Sequence, residues 1–91
     1  MRTIDLLLTT AFRTEIIQPT MEAGYEHFAS KTDGCVDIAA FSDAVAACLR
    51  DGLIRDPVRL PEGALQCHWH LELTPKGVAA ARALLAARQQ D

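Results

Sequence analysis

Apolar positions recur along this chain with two different periods, and the change between them divides it. Up to residue 51 the spacing is helical. Ile4, Leu7, Leu8 and Ala11 fall on one face, which predicts a first helix over residues 3–17 with Thr3 as its N-cap. Gln18–Pro19 ends it, because the residue before a proline is pushed out of the helical region. Pro19 then suits the first turn of a second helix, whose stripe is Met21, Gly24, Tyr25 and Phe28 and which stops at "SKTDG". A third helix, over residues 37–51, places Ile38, Phe41, Val45, Cys48 and Leu49 on one side. Gly52 can take the left-handed cap after it.

Beyond Gly52 the period drops to two. "LIRDPVRL" and "ALQCHWHLEL" read as two strands joined through "PEG", and Pro57 makes the first an edge or bulged strand. In the second, Leu65, Cys67, Trp69, Leu71 and Leu73 point one way, toward a core. Gln66, His68, His70 and Glu72 point the other way. "TPKG" restores the helical signal: Thr74 caps, Pro75 takes the first position, and the helix continues from Lys76 to Gln90. Gly77 in its first turn is unfavourable for a helix but permits close approach to the preceding strand.

This reading gives one domain over residues 1–91, mainly α with a small antiparallel hairpin, in the order α-α-α-β-β-α. An N-terminal helix (1–17) and a C-terminal helix (75–90) flank a middle part (20–73). "ACLRDGLI", a hairpin, and then "LELTPKG" opening a helix resembles the winged helix-turn-helix domains of MarR- and PadR-like bacterial regulators. The resemblance covers roughly residues 20 to 85. It implies that residues 21–31 are the first helix of the helix-turn-helix, residues 37–51 the recognition helix that enters the major groove, and residues 59–64 the wing tip. The fold by itself hosts many roles.

Charge departs from that pattern. The chain carries a net −3, and no segment forms the basic patch usual for nucleic-acid binding. The face of the third helix turned from the core is read as Ala39, Ala40, Asp43, Ala47, Arg50 and Asp51. Bases are read mainly by Arg, Lys, Asn and Gln. Only Arg50 qualifies, and it lies at the end of the helix that usually points away from the bases. The alanines would instead let another helix approach closely. The wing is better supplied, with Arg55 and Arg59 on one side of its first strand and His68 and His70 on one side of its second. Asp56 and Glu62 are close by and oppose them.

The remaining chemistry is sparse. His68-x-His70-x-Glu72 places three potential ligands on one strand face, but Cys67 points the other way and no fourth ligand is evident, so no metal site is expected. Cys67 and Cys48 read as core packing, and Cys35, beside Gly34, as the accessible thiol. Three cysteines without metal spacing fit a reduced, cytoplasmic protein. His27 falls off the stripe of its helix and is expected to be exposed. Its nearness to Ser30 and Asp33 does not assemble a nucleophile, base and oxyanion hole. No enzyme activity and no cofactor are expected. "MRTIDLLLTT" is not a signal peptide, and no stretch approaches membrane-spanning length.

Two roles follow. In the first the chain is a small DNA-binding transcriptional regulator, with Arg50, Arg55, Arg59, His68, His70 and Lys76 as its contacts, mainly to phosphate. In the second it is a winged-helix adaptor or regulatory subunit that binds protein, which the acidic charge and the alanine-faced third helix favour. Val78, Ala81 and Leu85 face one side of the last helix, with Leu84 off that stripe. Such a helix is too apolar to sit alone in water over its whole length, and the resemblance, in whose domains terminal helices commonly form the dimer contact, implies a homodimer through residues 1–17, 75–90 or both.

Overall fold

The N-terminal helix is shorter than its periodicity predicts, and the difference changes the sheet. In a computed structural model, α1 (Thr3–Arg13) ends when Thr14 takes extended geometry (φ −137°, ψ 126°), and the next residues form β1 (Ile16–Gln18). The isoleucine pair is β-branched and prefers the strand to further helix. Arg2, not Thr3, occupies the N-cap position, and its side chain makes no capping bond. The structure describes residues 2–32, 34, 36–60, 63 and 65–89, the last two as helix backbone only. The predicted accessible thiol Cys35, together with Asp33, Glu62 and part of the predicted wing tip, lies outside the described residues.

After β1 come α2 (Met21–Lys31), α3 (Ile38–Arg50), β2 (Val58–Arg59), β3 (His68–Leu71) and α4 (Pro75–Gln89). Helices and strands together make a winged helix, mainly α with a small antiparallel sheet. That sheet has three strands in the order β1-β3-β2, not the two of a lone hairpin. Ile16 lies opposite Leu71, Ile17 opposite His70, and Gln18 opposite Trp69. On the other side of β3, Val58 faces Trp69 and Arg59 faces His68. None of the helices, among the described residues, is long and apolar enough to cross a membrane.

Capping explains most boundaries. Pro19 is not in the first turn of α2; Thr20 follows it as N-cap and its hydroxyl accepts from the Ala23 N–H at 3.1 Å. Asp37 caps α3 through the Ala40 N–H at 2.7 Å. At the other end Gly52 takes φ +73°. The Leu53 N–H then bonds back to the Cys48 carbonyl at 2.8 Å and the Gly52 N–H to Leu49 at 3.2 Å, a Schellman closure.

The core is an aromatic cluster between the sheet and helices α2 and α3. Phe28 and Phe41 are fully buried, with ring centroids 4.9 Å apart, and Trp69 lies 5.7 Å from Phe41. Burying each phenylalanine contributes about 1.5–3 kcal/mol. Trp69 lies against α2 at Gly24, where a β-carbon would collide with the indole ring. The glycine in the predicted stripe is therefore a notch for the tryptophan.

Several predicted core residues are not in the core. Ile38 and Leu49 of α3 are 41% and 43% exposed, while Ala44 is buried. α1 packs against α3, and Ala40 and Ala47 are half-buried, so the close-approaching helix that the alanines invite is the chain's own α1. Leu65 is 100% exposed, and Cys67 is exposed rather than packed. β2 is only two residues long and β3 starts at His68, so Cys67 has neither strand partner nor helix beneath it. Apart from an isolated bridge between Ile54 and Leu73, Val58–Arg59 is the whole of the first predicted strand. His27 is half-buried, with its Nδ1 3.1 Å from the Gln18 side-chain amide.

At the last helix, Thr74 and Pro75 act as predicted. The Thr74 hydroxyl accepts from the Gly77 N–H at 3.1 Å and donates to the Gly52 carbonyl at 2.6 Å. α1 packs along α4. Ala81 is buried, and Leu84, predicted to lie off the stripe, packs on the core.

Gly77 sits against the Leu53 carbonyl, and a β-carbon there would overlap its oxygen. Alanine ordinarily gains about 1 kcal/mol over glycine in a helix. Here overlap with rigid backbone outweighs that gain. Gly77→Ala is expected to destabilise the fold by about 2 kcal/mol or more, read as a lower urea midpoint; an equal or higher midpoint would show that the contact is slack.

Candidate nucleic-acid interface

The outward face of α3 follows from what its other sides bury. Phe41, Ala44, Val45 and Cys48 face the core, and α1 covers the Ala40–Ala47 side. Ile38, Ala39, Ser42, Asp43, Ala46, Leu49 and Arg50 remain exposed. The predicted outer face of Ala39, Ala40, Asp43, Ala47, Arg50 and Asp51 is thus rotated, and the true one is more apolar. Arg50 remains its one base-reading side chain.

Six residues were expected to contact DNA, and the structure gathers most of them around two acids. At the C-terminal end of α3, Arg50 Nε lies 3.8 Å from an Asp51 carboxylate oxygen. Lys76 Nζ donates to the Asp51 main-chain carbonyl at 2.9 Å, tying α4 to the end of α3. These side chains are 76% and 55% exposed at Arg50 and Asp51, so that ion pair contributes at most about 1 kcal/mol.

The second cluster lies on the outer face of the wing. Arg59 Nη1 donates to Glu72 Oε2 at 2.6 Å, and Arg55 Nε is 3.6 Å from Oε1. Arg55 and Arg59 thus share a side, as alternation predicts. His70 Nδ1 lies 3.5 Å from the same Arg59 nitrogen. The His68 and His70 rings share that face with centroids 6.3 Å apart, and both residues are half-buried. Glu72, first noticed only as a third member of the histidine series, organises this cluster. Its position two residues after His70 was the signal; what was missing was the turn at Asp56–Pro57. There the Asp56 carboxylate accepts from the Val58 N–H at 3.1 Å and the Pro57 carbonyl from the His70 N–H at 2.8 Å. That turn swings both arginines to one carboxylate.

Among the described residues, no three metal-ligating side chains come together. Two nitrogens of the wing cluster, Arg59 Nη2 and His70 Nε2, are buried without a hydrogen-bond partner among the described residues. A buried donor left in this way costs about 1–3 kcal/mol. Burial, reinforced by the Asp51 charge, pushes the Cys48 thiol up to about 11, so it is neutral and packs as a small apolar group.

The hydrogen bond from Arg59, aided by the charges of Arg59, Arg55 and His70, lowers the Glu72 carboxyl below its ordinary 4.5. A lowered folded-state value means that the unfolded chain binds the proton more tightly. The stabilisation is present above the ordinary value and is lost as pH falls through the folded one. Glu72 is half exposed, which limits it to about 1 kcal/mol. The melting-temperature gap between wild type and Glu72→Gln is expected at neutral pH and to close below pH 4.5; a gap unchanged at low pH would contradict this.

No protein-family model matches the chain, and no curated protein does so. Among solved structures it is similar to the crystal structure of SSV1 F-93, with a TM-score of 0.68 and 21% identity, over 99% of this chain and 89% of that one. At that identity the likeness concerns the fold, and it extends the winged-helix arrangement over nearly the whole chain, β1 included.

Proposed function

We propose that this chain is a small winged-helix DNA-binding protein of the transcriptional-regulator type. The observation that carries the reading is where the cations lie. Arg50, Arg55, Arg59 and Lys76 are four of the chain's nine basic residues. They sit at the end of α3, on the wing and at the start of α4. Their clusters adjoin, because the Thr74 N–H bonds to the Leu53 carbonyl between them at 3.0 Å. Against Asp51, Asp56 and Glu72 they leave a surplus of one positive charge among the described residues, on a chain whose net charge is −3. His68 and His70 extend this surface along the wing.

Phosphate contact, not base reading, is what these residues supply. The outer face of α3 has no Asn, Gln or Lys, and its single Arg50 leaves sequence discrimination to shape and backbone. Four cations that release counterions set a ceiling on salt dependence. Log affinity for duplex DNA is expected to fall with log salt at a slope no steeper than about −4, measured by fluorescence anisotropy. Absence of binding at tens of micromolar protein in low salt would remove this reading.

One observation favours a second reading, a protein-binding winged helix. Ile38 and Leu49 on α3 are exposed where a reading helix carries polar side chains, and Val58, Leu60 and Leu65 are exposed on the wing. A protein partner that covers this surface would use apolar contact and be nearly indifferent to salt, so the same titration separates the two.

Homodimerisation through the terminal helices belongs to the proposal. α4 exposes Ala79, Ala83, Ala86 and Ala87, a row small enough for a second helix to approach. Light scattering at micromolar concentration is expected to give twice the 9.9 kDa chain mass; a monomer would exclude it.

A further inference from the structure

Two guanidinium donors converge on Glu72. Arg59 Nη1 bonds to one of its oxygens at 2.6 Å and Arg55 Nε approaches the other at 3.6 Å, while His70 Nδ1, 3.5 Å from Arg59 Nη1, stands as an acceptor toward that guanidinium. Two guanidinium groups around one planar oxyanion is the arrangement by which arginine binds phosphate as readily as carboxylate. The cluster is also rich in donors. Two guanidiniums face one carboxylate, and among the described residues neither Arg59 Nη2 nor His70 Nε2, both buried, has a partner. Asp56, beside Arg55 in sequence, turns its carboxylate to the Val58 N–H, and Glu62 lies outside the described residues.

Glu72 is half exposed rather than enclosed: it lies just beyond the end of β3, and its side chain is 50% exposed. His70 and Glu72 also line a cleft of about 390 Å³, with Phe12 and Ile17 among its apolar walls. Arg13 and Glu15 line the same cleft and offset each other in charge. Arg55 and Arg59 do not line that cleft, so it is space into which the carboxylate can swing away from the two arginines.

We propose that Arg55, Arg59 and His70 form a phosphate-binding site on the wing, and that Glu72 closes it by occupying it with its own carboxylate. The chemistry required is a phosphate oxyanion. Taking that phosphate from a DNA backbone rests on the function proposed above, whereas the closed site itself rests only on this cluster.

The experiment measures thermal stabilisation by inorganic phosphate, against sodium chloride of equal ionic strength, for wild type, Glu72→Gln and Arg59→Gln/Glu72→Gln. Removing the competing charge is expected to tighten phosphate binding by about tenfold or more in Glu72→Gln. The double variant should lose the gain. Glu72→Ala serves as a second variant should the glutamine form fold poorly. Equal phosphate response in wild type and both Glu72 variants would overturn the proposal, and so would a gain that survives Arg59→Gln.

A fluorescent duplex forms a separate arm. There Glu72→Gln is expected to steepen the salt slope by about 2, as two arginines are released to phosphate. Duplex binding identical in wild type and Glu72→Gln, with no phosphate gain, removes the closed site and leaves DNA binding standing. A phosphate gain without duplex binding by any form keeps the site, assigns it to a free phosphate ligand and removes the DNA reading.

Discussion

Three segments of this protein meet at the Leu53–Thr74 junction, and the placement of the cationic clusters depends on it. The Thr74 N–H bonds to the Leu53 carbonyl and the Thr74 hydroxyl to the Gly52 carbonyl. The same hydroxyl accepts the Gly77 N–H in the first turn of α4, and the missing β-carbon of that glycine lets the helix come this close. Leu53 itself closes α3 through Cys48. The end of α3, the base of the wing and the start of α4 are thereby held by backbone groups and one hydroxyl. Such bonds are short-range and directional, so they fix angles that apolar packing alone leaves loose.

Two consequences follow for the surface. Lys76, in the first turn of α4, is brought to the Asp51 carbonyl beside Arg50. Arg55, only two residues beyond Leu53, is held to β3 by its own N–H on the Glu72 carbonyl at 2.9 Å. The cations of α3, wing and α4 become neighbours because the junction brings them together, although they span residues 50 to 76. Each group then meets an acid that the same junction delivers. On the proposed function, the nucleic-acid surface is partly neutralised from within, in keeping with the chain's acidic balance, and Glu72 is the acid that two of its arginines meet.

The aromatic cluster does the complementary work. Phe28, Phe41 and Trp69 join α2, α3 and the central strand, and the Gly24 notch sets how deeply Trp69 enters. With α1 lying on α3 and α4, the outer side of α3 is left as the face without an internal partner. Its exposed Ile38 and Leu49 are thus a result of packing order, since two sides of one helix cannot both be covered by so small a chain.

By itself the sequence determined the local events. Thr74–Pro75 as a helix start, Gly52 as a left-handed cap, Asp37 at the head of α3 and the alternation that turns Trp69 inward and His70 outward all depend on a few adjacent residues. Those same signals led to the winged-helix arrangement and to Arg55 and Arg59 on a common face. Tertiary structure decided the rest. Ile16–Ile17 became a strand because the edge of β3 lay open beside it, a partner more than fifty residues away. Cys67 and Leu65 fell outside the core because β2 was too short to carry the sheet past His68. The alanine face of α3 was claimed by α1. Glu72 became the centre of a charge cluster because the turn at Asp56–Pro57 aimed two arginines at it. Periodicity tells which residues share a face. What that face meets is settled by elements distant in the chain, through contacts that no local window contains.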